Sequence, residues 1–149
     1  MKSNVLLIAD RDGSANKTVA EAAVETARDL CHAKESCEAF EILGDDLNNI
    51  DIVIIDLDPG VHSLSILEAL SYCKSAPPVI VVTGLEEADM APVARRHGAA
   101  ACIGKPFPSS QLASLIEDVC TAAYSHPTSS DAWGHPWPVH VQIIENRMT

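Results

Sequence analysis

Apolar residues along the chain fall into short runs that alternate with segments of helical periodicity. Val5-Leu6-Leu7-Ile8-Ala9 is almost wholly apolar and stops at Asp10-Arg11-Asp12-Gly13, as a strand covered on both faces of a parallel sheet does. From Ala15 to Leu30, the residues Val19, Ala20, Ala23, Val24, Ala27 and Leu30 recur at helical spacing, with Lys17, Glu21, Glu25 and Arg28 on the other face. That spacing predicts an amphipathic helix. Ala39 to Leu43 is the next strand candidate, Asp45 to Asn49 leaves room for about one turn of helix, and Asp51 to Ile55 predicts a third strand. Ser63 to Lys74 carries Leu64, Ile66, Leu67, Leu70 and Cys73 at helical spacing, and Pro77-Pro78 ends it before Val79-Ile80-Val81-Val82. Glu86 to His97 predicts another helix, closed by Gly98 where a left-handed cap is usual. Ala99 to Ile103 makes a short last strand, and Ser109 or Ser110 caps a final helix with Leu112, Leu115, Ile116 and Val119 on one face.

Strands alternating with helices predict an α/β fold: a doubly wound, five-stranded parallel sheet with helices on both faces, each connection a right-handed crossover. Such sheets place their chemistry at the carboxyl ends of the strands. Those ends carry Asp10 and Asp12 after the first strand, Asp56 and Asp58 after the third, Thr83 after the fourth and Lys105 after the fifth. Carboxylates brought together repel, so they take up an oxygen-seeking ion such as Mg²⁺ or hold a proton. With a metal in place, a strand-end carboxylate can attack phosphorus while an ammonium and a hydroxyl hold phosphoryl oxygens. Asp56, Lys105 and Thr83 suit those roles, with Asp10, Asp12, Asp56 and Asp58 as candidate metal ligands. Each of these residues taken alone also has a structural reading: Asp10 and Asp12 as turn residues, Thr83 as β-branched filler, Lys105 as a solvated loop lysine. Their joint placement at consecutive strand ends favours the functional one.

Composition narrows the class further. The 149 residues suffice for one domain and a tail. A net charge of −11, from 10 basic and 21 acidic residues, speaks against direct nucleic-acid binding by this domain. No apolar stretch approaches the ~18 residues that span a bilayer, and Met1-Lys2-Ser3-Asn4 runs straight into the first strand rather than a leader, so a cytoplasmic protein without a membrane partner is expected. Cys31, Cys37, Cys73, Cys102 and Cys120 contain no C-x-x-C pair, which points to reduced, mostly buried thiols. His126, His135 and His140 match no metal-ligand spacing and read as solvent-facing.

The order of segments and motifs from Val5 to about Tyr124 resembles a response-regulator receiver domain. In that family an acidic pair ends the first strand, the phosphorylated aspartate the third, Thr or Ser the fourth, and a lysine followed by a cis proline the fifth. Here the matching residues are Asp10, Asp56, Thr83 and Lys105-Pro106-Phe107. The resemblance implies residues 1–124 as a receiver domain of a two-component system, with a phosphoryl group accepted on Asp56 from a histidine kinase or phosphotransfer protein, Mg²⁺ as cofactor, and a switch in protein interactions as the output. It implies no enzyme beyond self-phosphorylation and slow self-dephosphorylation. It also implies pairing through the fourth and fifth helices, for which Ala91, Val93 and Ala94 are candidates, although these small residues equally suit packing on the sheet.

The departures have physical consequences. Arg11 stands where the second acid of the family is expected, and a cation about 5 Å from a divalent ion costs several kcal/mol gross at an effective dielectric of about 20. Metal affinity is then expected to fall unless Asp12 substitutes. Cys102 replaces the aromatic switch residue, so coupling through a ring is lost. The loop Leu57-Asp58-Pro59-Gly60 is short, with Asp58 two residues past the acceptor. A phosphorylation-independent pseudo-receiver that works by protein contact is therefore the alternative.

Asp56-Leu57-Asp58 also resembles the nucleophile motif of haloacid-dehalogenase-type phosphatases, with Asp56 as nucleophile and Asp58 as general acid and base. The stretch preceding the motif, the lack of downstream acids and the lack of a cap domain count against it. Residues 125–149, rich in Pro, Ser and His and holding Trp133 and Trp137, have the composition of a linker or tail. Val139 to Ile143 alternates as an edge strand does. Docking of the tail on its own domain, capture of a partner, the start of an output domain and disorder all remain open from sequence.

Overall fold

The computed structural model describes residues 3–45, 48–57, 63–73, 76–84 and 87–125. Strands β1 (Asn4–Ile8), β2 (Asp29–Ala33), β3 (Ile50–Asp56), β4 (Val79–Thr83) and β5 (Ala101–Gly104) alternate with helices α1 (Asn16–Glu25), α2 (Ser36–Gly44), α3 (Ser63–Ser71), α4 (Glu87–Arg96) and α5 (Ser109–Ser125). All the strand pairs are parallel, in the order β2-β1-β3-β4-β5. The order reverses between β1 and β3, and the carboxyl ends of those two strands border the crevice where such sheets bind ligands.

The apolar runs of β1, β3 and β4 are buried because both faces of the sheet are covered. Val5, Leu7, Ile52, Ile54, Ile80 and Ile103 pack under α1 and α5. Leu6, Ile8, Val53, Ile55, Val79 and Val81 pack under α2, α3 and α4. Fully burying side chains of this size stabilises by about 1.5–3 kcal/mol each, so these strands form the anchor on which the strand ends are carried. Ala94 lies in the second core and Ala91 packs against it; these two α4 residues thus turn toward the sheet rather than toward a partner. Among the described residues no helix is long and apolar enough to cross a membrane.

The structure corrects the sequence in its first crossovers. The second strand is Asp29–Ala33, and the expected strand Ala39–Leu43 lies inside α2. Among the described strands β2 pairs only with β1, and of its five residues only Ala33 is buried while Asp29 and His32 are exposed, as suits an edge strand, so it lacks an apolar run. Ala39, Ile42 and Leu43 instead form the inward stripe of α2. The crossover expected as one turn at Asp45–Asn49 is α2 itself.

Helix α1 also stops earlier than its periodicity predicts. The Thr26 hydroxyl donates to the carbonyls of Ala22 and Ala23 at 3.0 Å. The Arg28 N–H reaches Ala23 O at 2.8 Å and the Ala27 N–H reaches Val24 O at 3.0 Å. These bonds close a Schellman-type cap with Ala27 left-handed at φ 58. Val24, counted on the apolar face, is 77% exposed. Arg28, counted on the polar face, turns inward: its Nε lies 2.9 Å from Asp51 Oδ2 and its Nη1 2.5 Å from Glu117 Oε1. Burial opposes the charge on Arg28, but bonds to Glu117 and Asp51 outweigh it and raise its pKa. Burial beside Asp51 pushes the Cys120 thiol up to about 12. Cys102 and Cys120 are buried, Cys31 is half-buried, and Cys37 and Cys73 are exposed, so the expectation of mostly buried thiols does not hold.

Gly98 has φ 101, the left-handed cap expected from its place after α4. Ala27 occupies the corresponding conformation with a Cβ that disfavours it. Replacing Ala27 by Gly is expected to raise stability by roughly 0.5–1 kcal/mol in urea denaturation; a loss of stability would show that the cap does not carry this strain.

Candidate functional site

Asp56 is the last residue of β3 and only 3% exposed. A buried carboxylate is costly unless paired, and its partner comes from beyond β5: Lys105 Nζ lies 2.9 Å from Oδ1 and donates to Oδ2 at 2.9 Å. β4 makes this reach possible. Asp56 is level with Val82, Thr83 with Gly104, and the Lys105 N–H donates to Thr83 O at 2.7 Å. The lysine backbone is thus tied to the end of β4 while its side chain crosses to β3. Thr83 is fully buried at that junction, and the Lys105–Pro106 peptide is cis. The structure therefore brings Asp56, Thr83 and Lys105 together at one edge.

The loop after β1 supplies two further residues that sequence reasoning did not single out. Lys105 Nζ donates to Ser14 Oγ at 2.9 Å, so the ammonium bridges α1's leading turn and the end of β3. The Asn16 side-chain amide donates to Asp10 O at 2.8 Å and to Arg11 O at 3.1 Å, and the Gly13 N–H to Asp10 O at 3.0 Å. A Cβ on Gly13 would lie 2.6 Å from Asn16 Oδ1, which is why this tight turn takes glycine. Only their place between the end of β1 and the start of α1, of which Asn16 is the first residue, hinted at a position near the strand ends.

The acids behave differently from Asp56. Asp10, Arg11 and Asp12 are all exposed on the turn, and Asp58 lies outside the described residues. On the side of β1, the residue beside Asp56 is an alanine just past the strand's end. Ile8 pairs with Ile55, so one step further along both strands sets Ala9 next to Asp56. Ala9 is fully buried in the core cluster of Val5, Leu7, Ile52 and Ile54, the face toward which Asp56 also points by strand alternation. Among the described residues no group of three His, Cys, Asp or Glu side chains is close enough to hold a metal ion. Among the described residues the donors are one buried carboxylate already paired with an ammonium and two exposed ones on a turn, a set poor in charged oxygens for a Mg²⁺ pocket.

A cavity of about 490 Å³ lined by Phe40, Leu43, Ile50, Leu70, Cys73 and Pro77 opens at the amino ends of β3 and β4, away from Asp56. It takes no part in this site.

Comparison with known proteins agrees with the geometry. The family model for the response regulator receiver domain matches residues 5–117. Among solved structures, a response regulator from Thermotoga maritima superposes with a TM-score of 0.70 at 22% identity, covering 81% of this chain and 99% of that one. A response regulator receiver domain protein from Clostridium thermocellum gives 0.69 at 23% identity, over 83% and 98%. NtrX from Brucella abortus gives 0.71 at 21% identity, over 89% of this chain but 29% of that one. At these identities the structures speak for the fold. No curated protein matches the sequence. The family match decides between the two resemblances read from the sequence, in favour of the receiver.

Replacing Asn16 by Ala removes both amide bonds that hold the Asp10–Gly13 turn. A loss of about 1–2 kcal/mol in urea denaturation is expected; unchanged stability would mean that the turn is held by other contacts.

Proposed function

The chain belongs to the response regulator receiver domain family, and from that membership we propose that Asp56 accepts a phosphoryl group from a histidine kinase or a histidine phosphotransfer protein and so changes which proteins the domain binds. The observation that carries this reading is the Lys105 ammonium standing 2.9 Å from both oxygens of the buried Asp56 carboxylate. It pairs an acceptor with a cation fixed where phosphoryl charge would develop.

One carboxylate oxygen of Asp56 attacks phosphorus, the bond from phosphorus to the donor imidazole nitrogen breaks, and its electron pair stays on the imidazole. Asp56 becomes an acyl phosphate. Lys105 then holds one phosphoryl oxygen through its ammonium, and the Thr83 hydroxyl, at the neighbouring strand end, holds another. Receiver domains typically bind Mg²⁺ at an acidic pocket; among the described residues the further carboxylates at this edge are the exposed Asp10 and Asp12 of the turn, a poor set for such an ion. Receiver domains are signalling modules rather than enzymes in general, and release of phosphate by this chain is expected to be slow. The output is delivered by a further domain or by a separate effector; the solved NtrX chain extends well beyond the part this chain matches.

Intact-mass spectrometry after incubation with acetyl phosphate, with and without added Mg²⁺, tests the proposal. The parent is expected to gain one phosphoryl group and Asp56→Asn none. No gain by the folded parent under either condition would overturn phosphoacceptance and leave a module that acts by contact alone.

A further inference from the structure

Resting on that reading, we propose that Ala9 is the residue that limits divalent-cation binding at the Asp56 pocket, and that a single carboxylate at this position completes the cation site. The register carries the inference. Parallel neighbours in a sheet are about 4.8 Å apart, and the step beyond Ile8–Ile55 places Ala9 beside Asp56 on the same face. A carboxylate there would stand against the Asp56 carboxylate, below Asp10, at the mouth of the crevice. Alanine contributes a methyl group instead, and it is fully buried.

Two further features point the same way. The remaining acids of the turn, Asp10 and Asp12, are exposed, and the amide of Asn16 fixes the turn through the Asp10 and Arg11 carbonyls rather than through any carboxylate. The charge of Asp56 is already balanced by Lys105, which Ser14 holds from the other side. A divalent ion would therefore have to compete with an ammonium for one buried carboxylate. Arg11, exposed on the turn, adds positive charge nearby but does not occupy the position level with the acceptor.

The test is calorimetric titration of the full chain with Mg²⁺, and with Mn²⁺ followed by water-proton relaxation. The parent is expected to show no saturable, Asp56-dependent binding across the millimolar range. Ala9→Asp is expected to bind at least about tenfold tighter, since affinity for such ions follows the number of charged oxygen ligands. The gain disappears in the Ala9→Asp, Asp56→Asn double variant, and Ala9→Asn, similar in shape without the charge, behaves as the parent. Saturable binding by the parent that Asp56→Asn abolishes would overturn the inference even if Ala9→Asp failed to fold. So would a folded Ala9→Asp that binds no better than the parent. Phosphoryl uptake is read separately by mass, so its loss would count against the acceptor reading and not against the role of Ala9.

Discussion

A carboxylate buried to 3% exposure at the end of a central strand is tolerable only with a cation against it, and Lys105 meets that need from two strands away. The contact sets demands on the rest of the molecule. β5 must lie next to β4 and end level with it, so that the Lys105 N–H can be held by Thr83 O. β3 must end one residue lower, with Asp56 level with Val82. The turn before α1 must bring Ser14 to the same ammonium. Removing either charge alone leaves its partner buried without compensation, which is more damaging than removing both.

The rest of the fold serves to hold those strand ends. Two cores, one under α1 and α5 and one under α2, α3 and α4, clamp the sheet from both faces, and the register between strands then fixes which residues share a level at the edge. The same register that places Lys105 and Thr83 near Asp56 also places an alanine beside it. A buried carboxylate, a hydroxyl and a lysine therefore stand together at one edge, while the residue level with the carboxylate past the end of β1 contributes only a methyl group.

The central strands and most helices were legible in the sequence because burial on both faces leaves continuous apolar runs such as Ile52 to Ile55, and because Leu112, Leu115, Ile116 and Val119 repeat at helical spacing. β2 was not legible, since an edge strand with one neighbour needs no such run, and Ala39, Ile42 and Leu43 imitated a strand while forming a helical stripe. The end of α1 was hidden because its cap uses Ala27 in place of glycine, and Arg28 was misplaced with it. Asp56, Thr83 and Lys105 were legible as strand-end residues. The roles of Ser14 and Ala9 were not, because a hydroxyl beside a lysine and an alanine beside an acceptor are set by register between distant segments, and no local pattern encodes that.

The Asp56–Lys105 pair is tested most directly by a double-mutant cycle on stability, using Asp56→Asn, Lys105→Met and the double variant in urea denaturation. A coupling free energy on the order of 1–3 kcal/mol is expected for two groups that share a buried charge-assisted contact. Strictly additive effects of the two substitutions would contradict the account, because they would mean that the lysine does not stand against the acceptor in solution.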